Sequence, residues 1–359
     1  MGTGAIRLVV KATFAFWRLG ILGIVLAGCL SGQAAAPRGI EFKSWSSFHS
    51  WKRSFGPNGE LILTSPVVRT TIAWDELIAS WNASTPGGTG LRVEARALYP
   101  DRETKWYSLG LWSEEGRRFP RTSVRNQKDA DGDVATDILR LTKPARRVQV
   151  RVALVPNGWE KPSLRFVAIS LWGREATQPQ LPPDRRAWGV TLDVPNFLQG
   201  DYPGGQDSWC SPTSTAMVLA YWSRERKRPD WARSVPEVAA GVMDPAWPGT
   251  GNWSFNVAYA GAIPGIRAYV TRFSDLSEVE AHIARGVPVI VSLNYDVLRQ
   301  KAPGRDAGHL MVVVGFTGAG DPILNDPGSR ENQRRAYARL DFIKAWDHSR
   351  RTVYLIRPH

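Results

Sequence analysis

Short alternating segments fill the first half of the chain and constrain its fold more than any other feature. Between residues 40 and 172, apolar and polar residues alternate in segments such as 61–65, 91–98 and 147–154, with Gly- and Pro-containing turns between them. A two-residue period places successive side chains on opposite faces of a strand. Many short strands with this spacing predict an antiparallel β-sandwich over residues 40–175. Residues 72–81 interrupt the pattern with an element whose type the sequence leaves open.

The pattern changes after a proline-containing stretch at residues 176–190. Its prolines, Pro179, Pro182 and Pro183, restrict the backbone and predict a semi-rigid linker. Two helical patterns follow it, at residues 214–222 and 276–285. Two short apolar runs suited to buried strands lie at residues 287–293 and 310–316. The sequence therefore predicts an α+β domain over residues 191–359, preceded by an all-β domain.

A basic and then apolar segment opens the chain. Arg7, Lys11 and Arg18 precede the apolar run 19–26, and small residues follow it. This order predicts a secretory signal peptide within residues 1–36, because the run after Arg18 is too short to span a bilayer as a permanent helix. We therefore expect an exported protein.

Cys29 completes the motif Leu26-Ala27-Gly28-Cys29, which resembles a bacterial lipobox. The resemblance implies that Cys29 is lipidated and anchors the protein to a membrane. Two or more acyl chains anchor a protein stably. Cleavage after the alanines at residues 34–36 is the alternative and would release a soluble secreted protein. Both alternatives place the protein in the cell envelope or outside the cell.

The net charge of +13 raises the question of a nucleic-acid partner. Lys and Arg are scattered through both halves, without a basic helix, a finger or an aromatic-basic repeat, so the charge predicts a solvated basic surface and no nucleic-acid binding. Such a surface would attract anionic envelope polymers or lipid headgroups. The sequence has no metal-ligand cluster, phosphate loop or dinucleotide fingerprint, and we expect no cofactor.

Cys210 is one of only two cysteines in the sequence, so the mature domain would carry an unpaired thiol. An exported thiol is exposed to oxidation, which suggests that it has a use, although a buried inert cysteine is the alternative. Pro212 and an apolar helical pattern follow it and place Cys210 at or just before a helix N-terminus. The positive end of the helix dipole stabilises a thiolate, as nucleophilic catalysis requires.

His309 is the histidine best placed to exchange a proton with that thiol. It follows Ala307-Gly308 at the start of a strongly apolar strand, whereas a structural histidine at a strand edge is the alternative. The other histidines lie in less suitable contexts: His49 in the predicted β-domain, His282 in a presumed helix, His348 in a polar run and His359 at the C-terminus.

Asp326 follows the next segment, in the run Asn325-Asp326-Pro327. A strand, a turn and a returning strand could bring its carboxylate beside His309, where it would orient the ring and stabilise the imidazolium. Asn325 is a rival for this role, and Asp-Pro-Gly is also a common turn.

The order Cys, His, then Asp or Asn is that of papain-like hydrolases, and the surrounding residues resemble the peptidase C39-like family over roughly residues 193–354. The segments that carry the resemblance are Val194-Pro195 with Gln199, residues 210–214 and the helix after them, residues 286–292, residues 308–316 and residues 325–327. The resemblance implies a papain-like fold with Cys210 as nucleophile, His309 as general base and acid, and Asp326 as the orienting residue.

The resemblance also implies a glutamine that donates to the oxyanion. Gln199 occupies the Val-Pro-x-x-x-Gln position, and Gln206, four residues before Cys210, is the alternative. Ser211 departs from the family, in which many members have Gly after the nucleophile. Trp209, Trp253 and Trp247 could line a substrate cleft, although core packing is the commoner role of tryptophan.

Together these features predict an exported cysteine hydrolase, a peptidase or related amide hydrolase that acts on peptides or cell-envelope material. One alternative is a surface protein whose sandwich binds a glycan or envelope polymer beside a non-catalytic papain-like scaffold, with Trp81, Trp106, Trp112 and Trp159 as candidate contacts. A papain-like acyltransferase would use the same Cys210 and His309.

Overall fold

Strands build the first half of the protein, which we call the β-region (residues 39–174). The structure is a computed structural model and describes Met1 and residues 39–174, 181–206, 208–304, 307–331 and 333–359. The strands of the β-region are β1 (Ile40–Trp45), β2 (Lys52–Phe55), β3 (Leu61–Thr64), β4 (Val68–Ser84), β5 (Gly90–Ala97), β6 (Tyr107–Trp112), β7 (Gly132–Ala135), β8 (Ile138–Val155) and β9 (Ser163–Trp172).

Hydrogen bonds join all the strands of residues 39–174 into one branched antiparallel sheet. The path runs β1-β9-β4-β8-β3-β2, while β5 and β7 also pair with β8, and β6 pairs with β5. The division into the two facing layers of a sandwich stays a prediction. Residues 72–81, which the sequence left untyped, lie inside β4, between β8 and β9. Both faces of β4 are buried there. Its sequence therefore lacks the alternation of apolar and polar residues that marks a half-exposed strand.

Helices and strands mix in the second half, which we call the α+β region (residues 181–359). Its helices are α1 (Cys210–Glu225), α2 (Val235–Val242), α3 (Trp253–Ala262), α4 (Leu276–Ile283), α5 (Tyr295–Leu298) and α6 (Arg339–Asp347). Its strands are β10 (Ile266–Arg272), β11 (Val289–Asn294), β12 (Gly308–Phe316), β13 (Pro322–Asn325), β14 (Arg334–Ala336) and β15 (Thr352–Pro358). The α+β class predicted for this half is confirmed.

The strands of the α+β region form an antiparallel sheet in the order β10-β15-β11-β12-β13-β14. One face carries Ile290, Val312 and Tyr354 and packs against α1 and α3. The other face packs against α4 and α6 through Val291 and Val313. Alternate residues of β11 and β12 thus enter different cores, which explains why these strands appear in the sequence as unbroken apolar runs.

The predicted linker at residues 176–190 is described from residue 181 onward. This described part lies against the α+β region: Ala187 is buried, and Trp188 Nε1 donates to Glu280 Oε1 at 2.9 Å. Pro179 and the rest of residues 175–180 lie outside the described residues.

A shared hydrophobic core joins the two regions into one compact unit. Phe255 of α3 contacts Trp81 and Trp112 of the β-region, with ring centroids 6.2 and 5.5 Å apart. Asn82 of β4 binds the backbone of Ala268 on β10 twice, donating at 2.7 Å and accepting at 3.1 Å. The sequence predicted two neighbouring domains, but not that one helix would enter the core of both.

The burial of these tryptophans corrects one part of the polymer-binding alternative. Trp81 and Trp112 are both 0% exposed, so neither ring can contact a glycan. Of the other two, Trp106 contacts the guanidinium groups of Arg96 and Arg151, whereas Trp159 is fully exposed.

The predicted signal peptide and the lipobox cysteine, Cys29, lie within residues 2–38, outside the described residues. Among the residues that the structure does describe, no helix has the length and apolarity needed to cross a membrane.

Candidate active site

Cys210 begins α1, as the sequence predicted. Trp209 takes the N-cap position, and Pro212 lies in the first turn, where a missing backbone N–H costs nothing. The thiol is half-buried and free. The N-terminal end of α1 therefore presents a partly accessible sulfur to the positive end of the helix dipole.

His309 is the second residue of β12 and lies beside this thiol. Its Nε2 donates to Asp326 Oδ1 at 2.8 Å, and the side chain is almost completely buried. Because Nε2 is occupied by the carboxylate, Nδ1 is the ring nitrogen left for Cys210, which lies close enough to the imidazole to raise its pKa. Strand pairing produces this arrangement, since β13 returns alongside β12 and ends one residue before Asp326.

Asp326 is completely buried and is held by more than His309. Its Oδ1 also accepts from the Gly328 N–H at 2.8 Å, and its Oδ2 accepts from the Tyr295 hydroxyl at 2.5 Å. The Tyr295 ring lies against His309, with centroids 4.4 Å apart. These contacts fix the carboxylate and the imidazole in one orientation.

The electrostatics of the three groups favour a charged pair. Burial alone would raise the pKa of the Cys210 thiol, but the hydrogen bond and the charge of His309, with backbone hydrogen bonds from Leu310 and Ser211, bring it below its ordinary value. Burial would lower the pKa of His309, but its bonds to Asp326 and Cys210 raise it to about 9. Burial also opposes ionisation of Asp326, yet His309 and Tyr295 hold its pKa below the usual range. A thiolate and an imidazolium can therefore coexist at neutral pH.

Comparison with known proteins agrees with this geometry. Residues 191–354 match the family described as Peptidase_C39 like family, and residues 61–171 match the Peptidase C39 N-terminal domain. Both models describe peptidase C39 proteins, so the chain is similar to this family in each of its two regions. The match over residues 191–354 supports a cysteine peptidase, and the predicted resemblance is confirmed.

A solved structure described as a C39-like peptidase from Bacillus anthracis is also similar to part of the chain. The two share 16% sequence identity over 47% of this chain and 98% of that one, with a TM-score of 0.36. The comparison with curated proteins found no match.

Asn325, the rival of Asp326, faces away from the histidine of this C39-like site. Its amide nitrogen donates to the backbone carbonyls of Val194 and Pro195 at 3.2 and 3.3 Å, and its oxygen accepts from Arg334 at 2.9 Å. Asn325 thereby ties β13 to the segment that leads to Gln199.

The two glutamines differ in burial. Gln199 is buried in a short 3₁₀ turn (Gln199–Asp201), and its Nε2 donates to the Gln206 backbone carbonyl at 2.9 Å. Its own N–H donates to the carbonyl of Pro327, the residue after Asp326, at 2.9 Å. The Gln206 side chain is exposed. Of the two amides, Gln199 has the fixed position that an oxyanion donor needs.

The tryptophans that were expected near the cleft take different positions. Trp209 is half-buried against Gly205 of the loop before α1 and against the shared core. Trp253, also half-buried, begins α3 and lines a cavity of about 530 Å³ together with Asn294 and Gly308. Trp247 is 47% exposed, on the loop that leads to α3.

Sequence reasoning missed Tyr295 as a member of the site. The available signal was its place directly after the apolar run of β11. In the antiparallel pair with β12, Leu293 lies opposite His309, and Tyr295, two residues further on, is the diagonal neighbour whose ring reaches the imidazole. In the described parts of the chain, no group of three or more His, Cys, Asp or Glu side chains could hold a metal ion.

Proposed function

We propose that the protein is an exported cysteine peptidase that cleaves peptide or related amide bonds through Cys210, His309 and Asp326. The observation that carries the proposal is the meeting of a half-buried thiol at a helix N-terminus with an imidazole whose second nitrogen is bound to a buried carboxylate. A nucleophile, a base and an orienting group in this order are what covalent acyl transfer needs.

The proposed reaction begins with attack of the Cys210 thiolate on the scissile carbonyl carbon. The carbonyl oxygen takes up the negative charge, and the Cys210 backbone N–H with the Gln199 amide would donate to it. His309 then gives its proton to the leaving amine, and the C–N bond breaks to leave a thioester. Water, deprotonated by His309, attacks the thioester, and the C–S bond breaks to release the acid, which restores the Cys210 thiolate and the His309 imidazolium.

Asp326 and Tyr295 would act through His309 during these steps. The Asp326 carboxylate stabilises the imidazolium until the imidazolium protonates the leaving group. The Tyr295 hydroxyl holds the carboxylate in place. Trp209 and Trp253 are the proposed substrate contacts. No cofactor takes part in this proposal.

The signal peptide within residues 1–36 is the basis for the proposed export, and lipidation at Cys29 would keep the enzyme at the membrane of the cell envelope. Polymer contact through the β-region remains a second proposed interaction. The fully exposed Trp159, on the turn between β8 and β9, is the side chain that favours it.

The test uses the full chain with Cys29→Ser, so that Cys210 is the remaining thiol. The protein is incubated with a defined peptide library, and new termini are identified by mass spectrometry. Cleavage should disappear in Cys210→Ala and in His309→Ala, while Cys210→Ala retains the wild-type melting temperature. Undiminished cleavage by Cys210→Ala would overturn the proposal.

A further inference from the structure

The first turn of α3 is held by a carboxylate from the β-region. Asp137 lies on the turn between β7 and β8, and its Oδ2 accepts from the Trp253 N–H at 2.6 Å. The Ser254 N–H also bonds this carboxylate, while the N-cap residue Asn252 satisfies Phe255 N–H at 3.1 Å. The free N–H groups of a helix start are thus shared between a local cap and a distant buried acid.

Other contacts keep α3 from moving independently of the β-region. Ser254 Oγ donates to the Ala79 carbonyl of β4 at 2.7 Å, and Phe255 packs between the core tryptophans described above. Ile138, next to Asp137, belongs to the hydrophobic cluster against which Cys210 and Trp253 also pack. The position of Trp253 is therefore set from the β-region as well as from its own helix.

Trp253 lines the 530 Å³ cavity, as does Leu293, the strand partner of the catalytic histidine. Gly308, which directly precedes His309, also lines the cavity and is exposed, and a Cβ added at Gly308 would meet no atom within 4 Å. Asn294, the strand partner of Gly308, lines the same space. A peptide whose scissile bond lies at Cys210 would have room here for a neighbouring side chain.

We propose that Asp137 is a positioning residue of the peptidase: by holding the first turn of α3, it sets Trp253 as the wall of a substrate pocket beside Gly308. This inference rests on the proposed function. It makes peptide binding depend on the β-region, although the reacting groups all lie in the α+β region. The aromatic wall suits a bulky apolar side chain of the substrate.

The ionisation of Asp137 gives this role a pH dependence. Burial and, to a smaller extent, the nearby Asp244 raise the pKa of Asp137 to about 6, against the bonds from Trp253 and Ser254. The other ionisable groups that interact with it are Arg272 on β10 and Tyr354 on β15. Below about pH 6 the carboxyl takes up a proton, and its bonds to the N–H groups of α3 weaken.

The test compares Asp137→Asn with Asp133→Asn, a matched change in the same hairpin whose carboxylate accepts from its neighbour Val134. Both are made in the full chain with Cys29→Ser and assayed on a cleaved peptide with a bulky apolar residue near the scissile bond. Asp137→Asn should raise KM about five- to tenfold, the size expected for one weakened charge-assisted hydrogen bond. It should leave kcat and the iodoacetamide labelling rate of Cys210 within about twofold, because the reacting groups are untouched. Asp133→Asn should change none of these values.

Two further measurements separate positioning from a general structural role. The KM of the Cys29→Ser protein should rise as the pH falls through about 6, and this rise should be absent in Asp137→Asn. Combining Asp137→Asn with Trp253→Ala should raise KM no more than Trp253→Ala alone.

An unchanged KM in Asp137→Asn, or a KM without this acidic rise, would overturn the inference while leaving the proposed function intact. Equal losses of kcat and labelling rate would overturn it too, since the mutation would then disturb Cys210 itself. If Asp137→Asn fails to fold, the pH dependence of KM in the Cys29→Ser protein, which keeps Asp137, still tests the inference. Persistent cleavage by Cys210→Ala would instead refute the proposed function.

Discussion

His309 Nε2 and Asp326 Oδ1 lie 2.8 Å apart in a site from which solvent is largely excluded. The carboxylate offsets the cost of burying a charged imidazole, and the Tyr295 hydroxyl offsets part of the cost of burying the carboxylate. The proton affinity of His309 therefore depends on partners contributed by α5 and by the turn after β13.

Asp326→Asn should lower the pKa of His309 from about 9, because Cys210 alone would then oppose the effect of burial. The thiolate–imidazolium pair would persist over a narrower range, so the alkaline limb of the pH profile of kcat/KM should move to lower pH. We expect a loss in kcat/KM of about 10²-fold or more. Asp341→Asn, on α6, is the control; an unmoved alkaline limb in Asp326→Asn would count against this role.

Tyr295→Phe should reduce kcat/KM by about tenfold, equivalent to the loss of one charge-assisted hydrogen bond of roughly 1.4 kcal/mol. The change removes the donor to Asp326 Oδ2 and keeps the ring that lies against His309. Tyr337→Phe provides the comparison, because Tyr337 is also a buried tyrosine near Asp326. Equal effects of the two substitutions in steady-state assays would argue against a specific role for Tyr295.

Gln199→Ala should lower kcat by about 10²-fold with a smaller change in KM, the pattern expected when a donor acts mainly in the transition state. Gln206→Ala should have little effect, since that side chain is exposed and only its backbone carbonyl binds Gln199. The reverse ranking in a single-turnover assay would assign the oxyanion donor to Gln206.

Trp112→Ala should destabilise the protein by about 3–5 kcal/mol, because it removes a fully buried ring that contacts Phe255. Trp159→Ala should change the free energy of unfolding by less than about 0.5 kcal/mol, as for an ordinary surface position. Urea unfolding measures both. Similar losses for the two would mean that Trp159 has packing partners in solution.

Local signals predicted the elements that carry Cys210 and His309. Pro212 and the apolar pattern after it placed Cys210 at the start of α1, and the apolar run after Gly308 placed His309 at the start of β12. Both predictions depend on neighbours within a few residues, where chain geometry is decided by sterics and hydrogen bonding.

Long-range packing was harder to predict. The chain pattern could not assign Asp326 rather than Asn325 to His309, because the choice depends on the β12–β13 register and on which side chain faces the imidazole. The insertion of α3 into the core of the β-region could not be predicted either, because no periodic pattern in the sequence indicates it. Phe255 appears in the sequence as an ordinary apolar residue of a helix.

The alkylation rate of Cys210 as a function of pH tests the central claim most directly. In the full chain with Cys29→Ser, iodoacetamide labelling should reach half its maximum below the ordinary thiol pKa of about 8.5, because His309 stabilises the thiolate. His309→Ala should move the midpoint to higher pH. A midpoint at or above the ordinary value, unchanged by His309→Ala, would contradict the account.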